Sequence, residues 1–294
     1  MNVYISTGGF NDMSADKVIK NFERYGIFDI ELSGGIYKEK LIRELINNKN
    51  KFNLKAHNYF PPPKKPFVIN LASLDDKIYK QSQSLILNAL KFSKKIDSNF
   101  YSFHAGFLCD IKPKDLGNKV KKKKLNSRKK CIELFIKRVN KIAKVAKKLG
   151  IKLMIENNVI TKRNFKDFGD NPFLMADPNE CKKILDSLSD NVGLLVDVAH
   201  LKVSSNTLSF EPKNMFILCK NRILGYHISD NNGDRDSNSS FDDSAWFWKY
   251  IDYKKKYLSI EVYDRDPKNL KKLLELAKKK IKKKKIYHAK KNYS

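Results

Sequence analysis

The sequence predicts an α/β protein built as a single (β/α)8 TIM barrel. Three observations support this fold class: eight short apolar runs recur along the 294 residues, helical patterns separate them, and polar residues stand where the runs end. Buried parallel strands are typically continuous apolar runs, and alternating strands and helices are typical of parallel α/β folds. Such barrels form one unit of about 250 residues or more. We therefore expect one domain over residues 1–281 and a basic, frayed tail over 282–294.

The eight predicted strands are rich in Ile, Val, Phe and Tyr. In chain order they cover residues 3–6, 29–32, 53–57, 100–104, 152–157, 192–197, 224–229 and 258–262. A doubly wound open sheet would also alternate strands with helices. The barrel is favoured because the strands number eight and because their ends are polar. In addition, Ser6-Thr7-Gly8-Gly9 does not match the glycine-rich phosphate-binding loop that follows the first strand of many open sheets.

Helical patterns lie between the predicted strands. They cover residues 14–25, 75–96, 128–149, 177–188, 212–219, 244–250 and 269–280. Ser14 is a suitable N-cap, Asp177-Pro178 places a capping residue before a proline at the first helical position, and Gly150 is suited to end a helix. The segments 61–70 and 158–177 are predicted to be long connections.

The net charge of +28 raises the question of a polyanionic partner such as nucleic acid. Most of the excess is lysine, for example at 121–124 and 278–280, whereas phosphate recognition favours the planar guanidinium of arginine. The chain is also rich in Ile and Asn, whose codons share the AT-rich character of lysine codons. Compositional bias is therefore an alternative explanation, and the charge alone does not specify a partner.

The cysteines and the N-terminus point to the cytoplasm. Cys109, Cys131, Cys181 and Cys219 form no CxxC pair, which disfavours a disulfide framework or a thiolate metal site. The chain begins with a predicted strand rather than with a basic segment followed by an apolar one. No stretch approaches 18 apolar residues, so we expect no membrane span.

Ionisable residues cluster at one end of the predicted strands. His57, His104, His200 and His227 lie at or just past strand ends, and Glu156, Asp197 and Glu261 end strands five, six and eight. In a (β/α)8 barrel these ends meet at one mouth. Each residue alone is compatible with a structural role, but three converging carboxylates repel one another unless they are paired or metal-bound. Together with one imidazole they suit one divalent Mn, Co, Mg or Zn ion.

Six short motifs carry a family resemblance. They are LKAH (54–57), FHAG (103–106), MIENN (154–158), VDVAH (196–200), YHISDN (226–231) and SIEV (259–262). In this order and on these strands they resemble the xylose isomerase-like (β/α)8 superfamily, over about residues 2–280. That superfamily includes sugar and sugar-phosphate isomerases and epimerases, inosose-processing enzymes and the endonuclease IV class of abasic-site nucleases.

The resemblance implies a site and an activity. Glu156, Asp197, His227 and Glu261 match metal ligands, and Glu156 and Glu261 match the acid and base that move a proton. The implied substrate contacts are His57, His104, His200 and Arg235. Isomerising a sugar requires removal of a proton next to a carbonyl, a metal that stabilises the enediolate, and two carboxylates. We expect a metal-dependent isomerase or epimerase of a sugar or sugar phosphate, and a homo-oligomer, as relatives often are.

An endonuclease IV-like nuclease is the alternative. Those enzymes hold three zinc ions and place histidines on strands three and four, which His57 and His104 match. They also need an Asp-x-His pair after strand seven, and here the loop DRDSN (234–238) has no histidine, whether Asp236 or Asn238 is the equivalent. The segment IELSGG (30–35) resembles the strand-two turn of sugar enzymes. Sugar chemistry is therefore favoured over nucleic acid, and a barrel that binds without catalysis is a third hypothesis.

Overall fold

The computed structural model describes residues 1–113 and 120–291, with the backbone alone described over 285–291. Eight parallel strands pair in chain order, and β1 also pairs with β8, so the barrel is closed. The strands are β1 (Asn2–Ser6), β2 (Asp29–Ser33), β3 (Asn53–His57), β4 (Phe100–His104), β5 (Lys152–Glu156), β6 (Val192–Asp197), β7 (Ile223–Ile228) and β8 (Tyr257–Ile260). The predicted fold class and all eight predicted strands are confirmed, with small shifts at some ends.

Helices surround the barrel. They are α1 (Ala15–Arg24), α2 (Leu41–Asn47), α3 (Asp76–Lys95), α4 (Arg128–Lys148), α5 (Lys162–Phe168), α6 (Pro178–Asp186), α7 (Val198–Leu208), α8 (Lys213–Leu218) and α9 (Pro267–Lys291). Side-chain caps begin several of them: Asp75 accepts from Lys77 N, and Asp177 accepts from Asn179 N. These caps satisfy amide groups that have no partner within the helix. None of the described helices combines the length and the apolar character that a bilayer span requires.

The helix predicted over 244–250 is wrong in type. Residues Trp246–Lys249 form a short 3₁₀ turn, in which Trp248 N donates to Ala245 O and Tyr250 N donates to Phe247 O. The indole Nε1 of Trp248 also donates to Asp242 O at 2.9 Å. The aromatic side chains of Phe247 and Trp248 are buried in the core, and this packing holds the segment in the tighter turn.

Three helices went unpredicted, and the last helix is longer than expected. The predicted connection 158–177 contains α5, which Thr161 caps by accepting from Asn164 N. Helix α2 begins after Lys40, which has a left-handed backbone and no side-chain cap. Helix α7 follows β6 with no loop between them. Helix α9 runs through the predicted boundary at residue 281 as far as Lys291, so that division of the chain stays a prediction.

A layer of large side chains fills the lower part of the barrel. Tyr4, Phe100, Met154, Leu195 and Tyr257 form one buried cluster inside it, and the rings of Tyr4 and Tyr257 stack with centroids 5.1 Å apart. Because side chains alternate along a strand, the inward positions two residues later carry the strand-end groups of β5 and β6, Glu156 and Asp197. The polar mouth therefore lies directly on an apolar floor.

The four cysteines are part of the buried interior. Cys109, Cys131, Cys181 and Cys219 are all buried and free. Burial raises the pKa of the Cys219 thiol to about 12, and it raises the pKa of Cys109 to about 11. These thiols therefore stay protonated at neutral pH and behave as small apolar side chains of the core.

Candidate metal and active site

The four predicted metal ligands converge at the barrel mouth. Glu156 ends β5, Asp197 ends β6, His227 lies in β7 and Glu261 follows β8. One ligand atom of each lies within 4.8 Å of those of the others. Glu156, Asp197 and His227 are fully buried, and Glu261 is 7% exposed. The strand ends therefore bring together three carboxylates and one imidazole that lie up to 105 residues apart (261 less 156) in the sequence.

The atoms that face one another in this cluster lack hydrogen bonds. Nδ1 of His227 lies 2.9 Å from Glu261 Oε2, 3.4 Å from Glu156 Oε1 and 3.9 Å from Asp197 Oδ2. Among the described residues, no hydrogen-bond partner satisfies Glu156 Oε1, Glu156 Oε2, Asp197 Oδ2 or His227 Nδ1. Buried polar atoms are nearly always paired, so this set is exceptional. Mixed carboxylate and imidazole donors aimed at one point fit a divalent cation.

Local structure fixes the carboxylate of Asp197. Its Oδ1 caps α7 by accepting a hydrogen bond from His200 N at 2.7 Å. The side chain of Asn157, just past β5, accepts from Asp197 N at 2.8 Å and donates to Asp197 O at 3.1 Å. One carboxylate oxygen is therefore used by the helix cap, and the other, Oδ2, is left to face the cluster.

Glu31, which sequence reasoning did not assign to the site, lies beneath His227. Its Oε2 is 2.8 Å from His227 Nε2, and the hydroxyl of Tyr257 donates to the same oxygen. Glu31 is fully buried in the middle of β2. A charged residue between Ile30 and Leu32, inside an apolar run, was the available signal, because a buried carboxylate needs a partner.

His57 and His104 form a second group with Glu156. Nε2 of His57 lies 3.3 Å from Glu156 Oε2, and Nδ1 of His104 lies 3.7 Å from the same oxygen. On the other side of its ring, Nδ1 of His57 is 2.9 Å from the hydroxyl of Ser102. One ligand atom from each member of the group lies within 4.8 Å of those of the other two. Both histidines therefore reach the cluster, and His104, with 26% of its side chain exposed, also faces the mouth.

His200 is held at the edge of the cluster by two contacts. Its Nδ1 is 2.9 Å from the carbonyl oxygen of Asn157, so Nδ1 carries a proton, and its Nε2 is 3.2 Å from Asp236 Oδ2. Asp236 belongs to the loop after β7. From the sequence, Asp236 is expected only as the counterpart of a nuclease ligand. The structure therefore adds the carboxylate of Asp236 to the edge of the cluster.

Two further residues of the loop after β7, Arg235 and Asn238, lie in different environments. Arg235, predicted to contact substrate, is exposed, and the geometry shows no contact between it and the cluster. Asn238 accepts from Ser229 Oγ at 3.0 Å and donates to Asp236 Oδ2 at 3.4 Å. The side chain of Asn238 thus lies beside Asp236. The role of Arg235 in binding substrate stays a prediction.

Burial and neighbouring charges shift the pKa values of the buried carboxylates strongly. Burial raises the pKa of Glu156, but His104, His227 and His57 outweigh burial and hold that pKa well below its usual range. Burial raises the pKa of Asp197 to about 8, with His200 opposing and Glu156 reinforcing the shift. For Glu31, burial is again outweighed by His227 and His57, which hold the pKa at about 2.

The histidines divide into two kinds. Burial lowers the pKa of His227, but the carboxylates of Glu31, Glu156 and Glu261 raise it well above its usual range. Burial also lowers the pKa of His200, but Asp197 and Asp236 raise it well above its usual range. Burial lowers the pKa of His104 to about 4, with only partial opposition from Glu156. Without a cation, protonated imidazoles therefore balance the buried carboxylates.

Comparisons with known proteins agree with this architecture. The family model described as xylose isomerase-like TIM barrel matches residues 24–280. A D-tagatose 3-epimerase-like protein is 18% identical, with a TM-score of 0.70 over 96% of this chain and 97% of that one. D-psicose 3-epimerase of Clostridium cellulolyticum, solved with D-tagatose, is 16% identical, with a TM-score of 0.64 over 93% and 96%.

A third similar structure is a Thermus thermophilus protein soaked with zinc chloride, 18% identical, with a TM-score of 0.62 over 95% of this chain and 99% of that one. A search of curated protein sequences finds no significant match. At these identities the solved structures show the fold alone, whereas the family model covers most of the chain. The chain therefore belongs to the xylose isomerase-like TIM barrel family.

Proposed function

We propose that the chain is a divalent-metal-dependent isomerase or epimerase of a sugar or sugar phosphate. The observation that carries the proposal is the convergence of four side chains: Glu156, Asp197, His227 and Glu261. Several of their buried oxygen and nitrogen atoms have no hydrogen-bond partner among the described residues. The names of the similar structures, a D-psicose 3-epimerase and a D-tagatose 3-epimerase-like protein, favour a sugar as the substrate.

The four converging residues would hold one Mn, Co, Mg or Zn ion. When bound, the cation would polarise the carbonyl and an adjacent hydroxyl of the sugar. Carboxylate oxygens and a neutral imidazole suit each of these ions. The cap that fixes Asp197 and the hydrogen bond beneath His227 hold two of the four ligands in place before the ion arrives.

In this proposal, Glu156 and Glu261 would move the proton. Glu156 ends β5 and Glu261 follows β8, and His227 Nδ1 lies 3.4 Å from Glu156 Oε1 and 2.9 Å from Glu261 Oε2. A sugar carbon next to the carbonyl that lies between the two carboxylates would lose its proton to one of them and regain one from the other. His57, His104 and His200 surround the same space and would donate to or accept from substrate oxygens, with Arg235 at the rim.

Hydrogen exchange at the reacting carbon tests the proposal. The metal-loaded protein would be incubated in D2O with a panel of ketoses, aldoses and their phosphates, and NMR would follow deuterium at the carbon next to the carbonyl. We expect exchange with at least one sugar, and its loss after chelation followed by recovery on adding the metal back. Exchange that is unchanged by chelation would contradict metal dependence, and no exchange with any sugar would contradict the isomerase.

An endonuclease IV-like nuclease is the second candidate. A second group of possible ligands favours it, namely His57, His104 and Glu156. This group shares Glu156 with the four-residue cluster and could hold a further cation. The asparagine at position 238 opposes it, since it stands where an Asp-x-His pair beginning at Asp236 would have its histidine. Cleavage of abasic-site DNA by the zinc-loaded protein, with an undamaged duplex as the control, would establish this activity.

Assembly and location stay predictions of the same proposal. A homo-oligomer is expected, and light scattering of the purified chain would give its mass in solution. A cytoplasmic location is expected from the sequence, and fractionation of cells that express the chain would test it.

A further inference from the structure

The two nitrogens of His227 lie in different environments. Nδ1 faces the cluster of Glu156, Asp197 and Glu261, where no described group donates to it or accepts from it. Nε2 points the other way, toward the barrel interior, and lies 2.8 Å from Glu31 Oε2. The imidazole therefore stands between a candidate metal position and a buried carboxylate on β2.

Glu31 is built into the barrel rather than into its mouth. It lies in the middle of β2, where its neighbours in the adjacent strands are Ser6 and Lys55, and it is fully buried. Tyr257, on β8, donates its hydroxyl to the same oxygen that His227 approaches. Two side chains from other strands thus fix one oxygen of this carboxylate. A buried carboxylate is costly, so its retention needs a compensating role.

We propose that Glu31 is a positioning residue that orients His227 and selects the form of its ring that ligates through Nδ1. The inference rests on the proposed metal site. An ionised carboxylate only accepts hydrogen bonds, so Nε2 must carry the hydrogen that Glu31 accepts. In a neutral imidazole the lone pair then resides on Nδ1, which is the nitrogen that faces the other three ligands. Carboxylate partners of this kind hold metal-bound histidines in one orientation and strengthen them as ligands.

Tyr257 extends the same chain of contacts. Its ring stacks on Tyr4 and belongs to the apolar floor of the barrel, so its hydroxyl has one fixed direction. The order Tyr257, Glu31, His227 therefore links the floor to the candidate ligand set through two hydrogen bonds. Removing the tyrosine hydroxyl should loosen Glu31 without removing the carboxylate from His227.

Glu31 could instead be a ligand, because Glu31, His57 and His227 also offer atoms within 4.8 Å of one another. The two roles exclude each other at Nε2, which cannot donate a hydrogen to Glu31 and bind a cation at the same time. A positioning role predicts that substitutions of Glu31 change the affinity of the ion and leave the number of ions per chain unchanged. A ligand role predicts the loss of one ion.

Metal titrations of whole-chain variants separate these roles. Binding of Zn²⁺ and Mn²⁺ alone, without any sugar, would be measured by competition with a chelator for the wild type, Glu31→Gln, Glu31→Ala and Tyr257→Phe. Glu180→Gln is the matched control, since Glu180 is a mostly buried glutamate that pairs with Arg128 on the outer layer. NMR of the ¹⁵N-labelled, zinc-loaded protein would report which ring nitrogen of His227 carries hydrogen. Circular dichroism would verify folding, and Glu31→Gln and Tyr257→Phe carry the test where Glu31→Ala does not fold.

We expect affinity to fall about 10- to 100-fold in Glu31→Gln, further in Glu31→Ala and less in Tyr257→Phe, with Glu180→Gln like the wild type. Hydrogen on Nε2 of wild-type His227 and a mixed population in Glu31→Ala would support the role. Wild-type affinity in Glu31→Gln, or one ion fewer per chain, would overturn the inference while the metal site stands. No binding of either ion by the wild type would overturn the proposed metal site and this inference together.

Discussion

Nδ1 of His227 lies 2.9 Å from Oε2 of Glu261, yet no hydrogen bond joins the two atoms. The same nitrogen is 3.4 Å from Glu156, whose oxygens also lack partners among the described residues. These groups therefore crowd one buried space as ion-pair contacts without hydrogen bonds. A cation held among these atoms would give each of them a partner.

Metal affinity should rise with pH. In the metal-free protein the carboxylates around His227 raise its pKa well above the usual range, and burial raises the pKa of Asp197 to about 8. Both groups are therefore protonated at pH 7, and a metal must displace their protons. Raising the pH removes this competition, so affinity should increase about tenfold per pH unit for each proton displaced, up to about pH 8 for Asp197. Calorimetry in buffers of different ionisation enthalpy would count the protons; equal affinity at pH 6 and pH 8 contradicts the account.

Replacing either of the carboxylates proposed to move the proton should abolish exchange. Glu156→Gln and Glu261→Gln each remove a proton carrier and weaken a ligand, so the rate of deuterium exchange into the sugar should fall at least about 100-fold. Glu133→Gln, a change on the outer helix α4 and outside the converging clusters, is the control and should leave the rate unaltered. NMR of the substrate in D2O measures the rate. Persistence of activity with either site variant would show that the two-carboxylate mechanism is wrong.

Replacing Asp236 should change the KM for the substrate more than the affinity for the metal ion. The Asp236→Asn variant removes the charge that lies 3.2 Å from His200 Nε2, and His200 is expected to contact a substrate oxygen. Hydrogen bonds to charged groups contribute about 1.5–3 kcal/mol, so KM should rise roughly 10- to 100-fold. Steady-state kinetics would measure KM, and a metal titration would verify that the affinity for the ion is retained. A fall in metal affinity without a change in KM would place Asp236 among the ligands instead.

Gly193 should tolerate no side chain. A Cβ at this position in β6 would lie 2.4 Å from Arg222 O and 2.5 Å from Leu224 Cγ, so one of the neighbouring strands would have to move. Overpacking of this kind costs about 1–3 kcal/mol, and the free energy of unfolding of Gly193→Ala should fall by that amount. Denaturant unfolding measures it against Lys141→Ala on the exposed face of α4, which should change it by less than about 0.5 kcal/mol. Equal stability of the two variants would contradict the packing described for β6.

The sequence predicted the barrel and its four-residue cluster because both depend on strand ends. Glu156 and Asp197 each stand at the end of a short apolar run, and parallel strands bring such ends to one mouth. The periodicity could not show α7, since it begins directly after Asp197 and is almost entirely buried through residue 205. It also could not distinguish an α-helix from the 3₁₀ turn at Trp246–Lys249, whose form depends on how its aromatic side chains pack.

The contacts of Glu31 and Asp236 could not be predicted from the sequence, because their partners are distant in the chain. Glu31 meets His227 across 196 residues of sequence, and nothing near Glu31 in the chain indicates that partner. Arg235 and Asp236 are adjacent in one loop, and only the backbone path decides that Asp236 turns toward His200 while Arg235 is exposed. Strand-end positions are thus predictable from local pattern, whereas loop side chains and residues within the barrel depend on the assembled fold.

The metal content of the protein tests the central claim most directly. The purified chain would be loaded separately with Mn²⁺, Co²⁺, Mg²⁺ and Zn²⁺, freed of weakly held ions, and analysed by plasma mass spectrometry against protein concentration. We expect one ion per chain, lost in Asp197→Asn and retained in the Glu180→Gln control. About three zinc ions per chain, or no retained ion of any kind, would contradict it.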